Sequence, residues 1–251
     1  MNKQKTALVT GSSSGIGAGI AKVLAHHGYQ IIVTYKDHKE WGEQVVASIN
    51  KNNGQAVLRE LDVTNEENVK ACFDFVAKTY GRLDILVNNA AIDGVAPIES
   101  CTFDTWKRMT RTKIDGNFLC TKYALPLLKI PGKADLVVIM SSMGDRPDAD
   151  NVGYCVGTAG TISFVKAMAK GLAKYGIRTN GVGPGEARTN NGYWKDAGIT
   201  TDEEWKKLAK ANPLGRVTTP EDVGETVLAI IENKTAFWNG NFLYVNGGGH
   251  L

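Results

Sequence analysis

At 251 residues the chain falls within the span of a single α/β domain with a large core, and 29 lysines and arginines against 26 acids leave a net charge of only +3. No basic run is long enough to track a phosphate backbone, which argues against nucleic acid as a partner. Cys72, Cys101, Cys120 and Cys155 and the histidines His26, His27, His38 and His250 share no metal-ligand spacing and no disulfide framework, and no apolar run approaches the ~18 residues of a membrane helix. The expectation is a cytoplasmic protein with reduced thiols, no metal and no membrane contact.

Lys5 leads directly into Ala7-Leu8-Val9, an apolar run that reads as the first strand. Thr10-Gly11-Ser12-Ser13-Ser14-Gly15-Ile16-Gly17 follows, and then the helical spacing of Ile16, Ile20, Val23 and Leu24. Glycines permit positive φ and close backbone approach, and a helix N-terminus offers unpaired N–H groups, so strand, glycine turn and helix in that order predict a nucleotide site. His26 and His27 close this helix, where an imidazolium caps favourably. Gln30 to Tyr35 reads as a second, fully buried strand, with a helix over roughly 39–52 behind it. The third strand spans Gln55 to Leu61, and Val69, Cys72, Phe73 and Val76 then mark one face of a helix. Ile85-Leu86-Val87 is the fourth strand, a long helix covers about 103–128, and Asp135 to Met140 is the fifth strand. A helix over about 153–175, a sixth strand at Ile177 to Asn180 and a last strand near Val245 complete the alternation. Strands alternating with helices predict an α/β fold: a doubly wound, mostly parallel seven-stranded sheet, one domain over residues 1–251.

The spacing Gly-x-x-x-Gly-x-Gly at Gly11, Gly15 and Gly17, with Asn88-Asn89-Ala90-Ala91, Gly116, Phe118, Ser141-Ser142, Tyr154, Pro184-Gly185 and Thr189, resembles the short-chain dehydrogenase/reductase family over nearly the whole chain. The resemblance implies a nicotinamide dinucleotide contacted by Gly11, Ser13, Ser14, Gly15, Ile16 and Gly17, by Tyr35 and Lys36 at the second strand's tip, and by Asp62 and Val63 at the adenine. Asn89, Ala90 and Ala91 follow, the last replacing the family's glycine, with Thr158, Pro184, Gly185 and Thr189 toward the nicotinamide and its ribose. The tip carries no carboxylate, and Lys36 precedes Asp37, which predicts NADP(H) in preference to NAD(H) because a cation accommodates a 2′-phosphate. A solvated surface lysine is the other reading of Lys36, and NAD(H) then remains possible.

The family's Tyr-x-x-x-Lys is here Tyr154-Cys155-Val156-Gly157-Thr158, without the lysine. Tyr35 and Lys39 fit the bare pattern on the wrong strand. The asparagine of the family's Asn-x-x-Gly-x-Phe is replaced by Lys113, and the matching serine is taken as Ser142, which leaves the interval to Tyr154 about one residue short. The expectation is that Tyr154 is the acid/base, that Ser142 orients the substrate and that Lys113 supplies the missing cation from the neighbouring helix. An unassisted phenol, with a pKa of about 10, gives a proton more readily than it takes one, which tilts such a site toward reduction. Two alternatives stay open: Lys113 bent into solvent in a nucleotide-binding protein with a regulatory or non-redox role such as elimination, or Asn117 standing in for the asparagine. Residues 186–212, with Tyr193, Trp194 and Trp205, lie where the family has its substrate-covering flap, and these aromatics either shape substrate choice or pack the core. Pro213 to Arg216, Pro220 to Val223 and Val245 to Gly248 continue the match, and the resemblance implies a homotetramer built on the two long helices and acting on a small molecule.

Overall fold

The computed structural model describes residues 4–189, 194 and 198–249. Seven strands, β1 (Thr6–Val9), β2 (Gln30–Tyr35), β3 (Gln55–Glu60), β4 (Ile85–Asn88), β5 (Ala134–Ile139), β6 (Ile177–Pro184) and β7 (Phe242–Val245), form one sheet in the order β3-β2-β1-β4-β5-β6-β7. Every pairing is parallel. Helices α1 (Gly15–His26), α2 (Lys39–Lys51), α3 (Glu66–Tyr80), α4 (Phe103–Leu128), α5 (Val152–Leu172), α6 (Asp202–Ala211) and α7 (Pro220–Ile231) connect them.

The central strands β1, β2, β4 and β5 are largely apolar on both faces because both are covered. Ile31 and Val33 of β2 point into one core with α1, α2 and α7, whereas Leu86 of β4 and Leu136 and Val138 of β5 point into the other with α3, α4 and α5. On the first side α1 and α7 meet at backbone distance: a Cβ on Gly19 would lie 2.4 Å from Pro220 Cβ and 2.7 Å from its carbonyl oxygen. Pro220 is held there by a capping box in which Thr219 and Asp222 exchange side-chain and backbone bonds, with Arg216 paired to Asp222 at 2.6 Å. On the second side α4, capped by Thr102, lies along α5.

Two boundaries differ from expectation. Strand β6 runs on to Pro184, through Gly181-Val182-Gly183, residues whose glycines read as a turn. A Cβ at Gly181 or Gly183 would come within 2.7 Å of the Phe242 or Tyr244 ring, so these glycines make room for the aromatics of β7. The second long helix ends at Leu172 and tightens into a 3₁₀ turn over Ala173–Tyr175, stopped by Gly176 at φ +73°. His27 caps α1 through its ring, Nδ1 lying 3.0 Å from the Val23 carbonyl. Among the described residues no helix is long and apolar enough to cross a membrane.

Candidate active site

A cleft of about 620 Å³ opens at the C-terminal ends of the strands, beside the point between β1 and β4 where the winding reverses. Gly11 and Gly15 take φ of +62° and +55°, and a Cβ on Gly17 would stand 2.4 Å from the Gly11 carbonyl oxygen. Only glycine lets α1 begin so close to the turn. Thr10 and Thr34, which carry no local sequence signal, build that turn. Thr10 Oγ1 accepts from the N–H groups of Asn89 and Ala90 at 2.8 and 2.9 Å, and Thr34 Oγ1 accepts from Gly11 N at 2.9 Å. Asn89 commits its amide to the same purpose, donating to the carbonyls of Thr10 and Gly11 at 2.8 and 3.2 Å. Ser14 caps α1 without a side-chain hydrogen bond, so no hydroxyl competes for the first-turn N–H groups. This cradle fits a pyrophosphate. Gly11, Ser13, Ser14, Gly15, Ile16 and Gly17 border the cleft, as do Asn89, Ala90, Ala91, Pro184, Gly185 and Thr189.

At the far end Lys36, Asp62 and Val63 border the cleft beside a stacked His38–Trp41 pair, with ring centroids 3.9 Å apart. Lys36 Nζ lies 3.1 Å from Asp62 Oδ2. Partial burial opposes ionisation of Asp62, but the Thr64 N–H and hydroxyl and the Lys36 ammonium outweigh it and hold the carboxyl below its ordinary range. Tyr35 does not border the cleft. Side chains alternate along a strand, and since Thr34 turns to the glycine loop, Tyr35 turns away from it.

At the catalytic end Tyr154, from the first turn of α5, is buried, and Lys113 reaches it from α4. The Lys113 ammonium lies 5.0 Å from the Tyr154 ring centroid and donates to the Ile139 carbonyl at 3.1 Å, with 2% of the residue exposed. It is therefore not bent into solvent. Burial lowers its pKa to about 8, with the Asp93 carboxylate acting in the opposite sense. Burial, followed by Asp93, pushes the Tyr154 phenol well above its ordinary value, whereas the hydroxyls of Ser141 and Thr158 act to lower it.

Of the two serines it is the Ser141 hydroxyl, in place of the expected Ser142, that bears on the Tyr154 phenol. Ser141 is the last extended residue before a 3₁₀ turn over Ser142–Gly144, its Oγ accepts from Met143 N at 3.2 Å, and the chain then turns away, although both serines border the cleft. Counted from Ser141, Tyr154 is one residue further on than from Ser142, which removes the shortfall noted above and was the available signal. Thr158 stands one turn after Tyr154 but is wholly buried and does not border the cleft, because its side chain is too short to reach where a lysine would. Asn117 turns elsewhere, donating to Thr161 Oγ1 at 3.2 Å. Of the flap aromatics Trp205 is buried and Trp194 borders the cleft, in edge contact with Trp205 at 5.4 Å; Tyr193 lies outside the described residues.

With this geometry in view, a family model described as "Enoyl-(Acyl carrier protein) reductase" matches residues 11–250. The chain is 34% identical to an uncharacterized oxidoreductase, YxbG, of Bacillus subtilis (strain 168), over 98% of this chain and 91% of that one. It is 32% identical to a cis-4-hydroxycyclohexanecarboxylate dehydrogenase of Sinomonas cyclohexanicum, over 98% and 96%. It is 31% identical to a 3-oxoacyl-[acyl-carrier-protein] reductase, FabG, of Staphylococcus aureus, over the full length of both. A crystal structure of a dehydrogenase/reductase from Sinorhizobium meliloti 1021 superimposes with a TM-score of 0.89 at 28% identity, covering 98% of this chain and 95% of that one.

Proposed function

We propose that this chain, which belongs to the short-chain dehydrogenase/reductase family and is an NAD(P)-dependent oxidoreductase of that family, reduces the carbonyl of a small molecule and prefers NADP(H) to NAD(H). The observation that carries this reading is the buried Lys113 ammonium beside Tyr154, which restores a cation to a site whose usual lysine position holds Thr158.

The glycine turn and the start of α1 would hold the pyrophosphate, and Pro184, Gly185 and Thr189 the nicotinamide side. A nicotinamide dinucleotide held by these residues would supply the hydride for the carbonyl carbon. Ser141 orients the carbonyl oxygen, Tyr154 gives that oxygen its proton, and the Lys113 ammonium meets the negative charge left on the phenol. Direction follows from the two pKa shifts. Burial lowers the Lys113 pKa to about 8 and raises that of the phenol well above its ordinary value, so charged Lys113 beside neutral Tyr154 is the resting pair below pH 8. Alcohol oxidation, which starts from the phenolate, is disfavoured, whereas reduction starts from protonated Tyr154 and charged Lys113, the resting forms below pH 8. Lys36 supports the NADP(H) preference, exchanging Asp62 for a 2′-phosphate. The segment 186–212 covers the substrate through Trp194, and four copies assemble through α4 and α5.

The test is titration of NADPH and NADH separately into the purified chain, followed by energy transfer from tryptophan, and then a ketone screen by nicotinamide absorbance. NADPH is expected to bind more tightly, with Lys36→Ala lowering its affinity about tenfold and changing NADH little. Tyr154→Phe is expected to cost roughly 10²–10⁴ in ketone turnover. Equal affinity for the two nucleotides would overturn the preference. If neither nucleotide binds, the glycine turn is scaffold and a non-redox role is the better account.

A further inference from the structure

We infer that Arg108 anchors an anionic group on the substrate, so that the compound reduced is an oxo acid bearing a carboxylate; this rests on the reductase reading above. Helix α4 brings Arg108 to the cleft five residues before Lys113, about 7.5 Å from it along the helix axis. Arg108, an exposed residue, borders both the main cleft and a side arm of about 400 Å³ that shares Ile92 and Asp93 with it.

The guanidinium is uncommitted. Arg82, Arg111, Arg178, Arg188 and Arg216 each pair with an aspartate, Arg146 donates to the Gly249 carbonyl and Arg59 lies over Phe75. Arg108 has no ion pair, side-chain hydrogen bond or ring contact among the described residues. Only its backbone is engaged, its carbonyl accepting from Thr112 Oγ1 at 2.8 Å. A planar fork of N–H donors left open at a cleft wall matches a carboxylate in two-point geometry.

Asp93, which shares the arm, does not serve as that partner. Its Oδ1 accepts from Asn151 Nδ2 at 2.5 Å and from Gly94 N at 2.9 Å, and its charge is set against Lys113. Among the described residues that line the arm, Arg108 is the one basic side chain. Glu186 belongs to the opposite rim and does not border the arm. Ile92, Val95 and Met109 line it together with Gly94 and Thr105, and the three apolar side chains offer contact to the carbons between carbonyl and carboxylate.

Binding of a non-reducible pair reads Arg108 without turnover. Hexanoate and its neutral counterpart hexanamide are titrated calorimetrically into the full chain with NADPH present. Hexanoate is expected to bind about tenfold more tightly, a difference of about 1.4 kcal/mol. Arg108→Lys should keep part of that ratio and Arg108→Glu should invert it. If hexanoate fails to bind, binds no more tightly than hexanamide, or keeps its advantage in Arg108→Glu, the anchor is wrong. The second arm compares turnover of 5-oxohexanoate with that of its methyl ester. Equal turnover of acid and ester overturns the carboxylate anchor and leaves the reductase reading standing. Turnover of neither, with the hexanoate preference intact and no other ketone of the screen reduced, overturns the reductase reading and supports the anionic site.

Discussion

Burying an ammonium is expensive, and Lys113 shows what the expense secures. Its pKa in the folded chain is about 8 against an ordinary 10.5. Below pH 8 both folded and unfolded chains hold the proton, and the folded state carries the full cost of the buried charge, about 3 kcal/mol. Between pH 8 and 10.5 the unfolded chain holds a proton that the folded one has released, so stability rises with pH across that window. Lys113→Met removes the charge at nearly constant volume and is expected to raise the thermal midpoint at pH 7 by several degrees, losing the pH 8–10.5 rise. The same variant should lose about 100-fold in carbonyl reduction. Wild-type turnover should fall as pH rises through 8, and Lys113→Met should show no such fall. A melting point that drops at pH 7, or a wild-type profile flat through pH 8, would refute this account. Serine is the second test at this scale: Ser141→Ala should cost about 100-fold in kcat/KM and Ser142→Ala far less, measured on one ketone. Lys113 was legible because Gly116 and Phe118 fix its place in a motif. Ser141 was hidden by its twin, since two adjacent serines are separated only by where the chain turns. Thr10 and Asn89 act through partners about 80 positions apart in sequence, and no local pattern reveals such bonds.

At the scale of elements α1 and α7 meet at backbone distance, and this matters because α1 also presents the phosphate-binding N–H groups. A methyl at Gly19 would meet the Pro220 backbone, which the capping box of Thr219 and Asp222 prevents from yielding. Gly19→Ala is expected to lower stability by about 1–3 kcal/mol, read as a reduced urea midpoint, and to weaken NADPH binding by tilting α1. An unchanged midpoint would mean that the helices slide apart freely. The alternation of strands and helices is readable from apolar runs and glycine turns because the central parallel strands are buried on both faces and parallel neighbours need a crossover connection. The sequence marks β6 only as far as Asn180, because Gly181, Gly183 and Pro184 lack strand propensity of their own. Their purpose is visible only once Phe242 and Tyr244 lie across them.

At the scale of the molecule, α4 and α5 each have two tasks. One side carries Arg108, Lys113 and Tyr154 toward the cleft, and another leaves Ile114, Phe118 and Val156 exposed by 41%, 53% and 48%. These form one seam: Ile114 lies over Gly160, where a Cβ would be 2.4 Å from its Cδ1, and Gly160 stands one turn after Val156. An apolar seam across two packed helices suits a copy of itself related by a two-fold axis. Such an interface would clamp the two helices that set the distance between Lys113 and Tyr154, so assembly and catalysis should be coupled. The wild-type chain is expected to sediment as a tetramer. Phe118→Asp combined with Val156→Asp should give smaller species that keep their circular dichroism but lose turnover, and raising protein concentration should restore both assembly and turnover in parallel. Neither residue borders the cleft, so a loss of activity that tracks dissociation belongs to the helix pair. A monomeric wild type would remove the tetramer, and a dissociated variant with full turnover would show that α4 and α5 hold their spacing unaided.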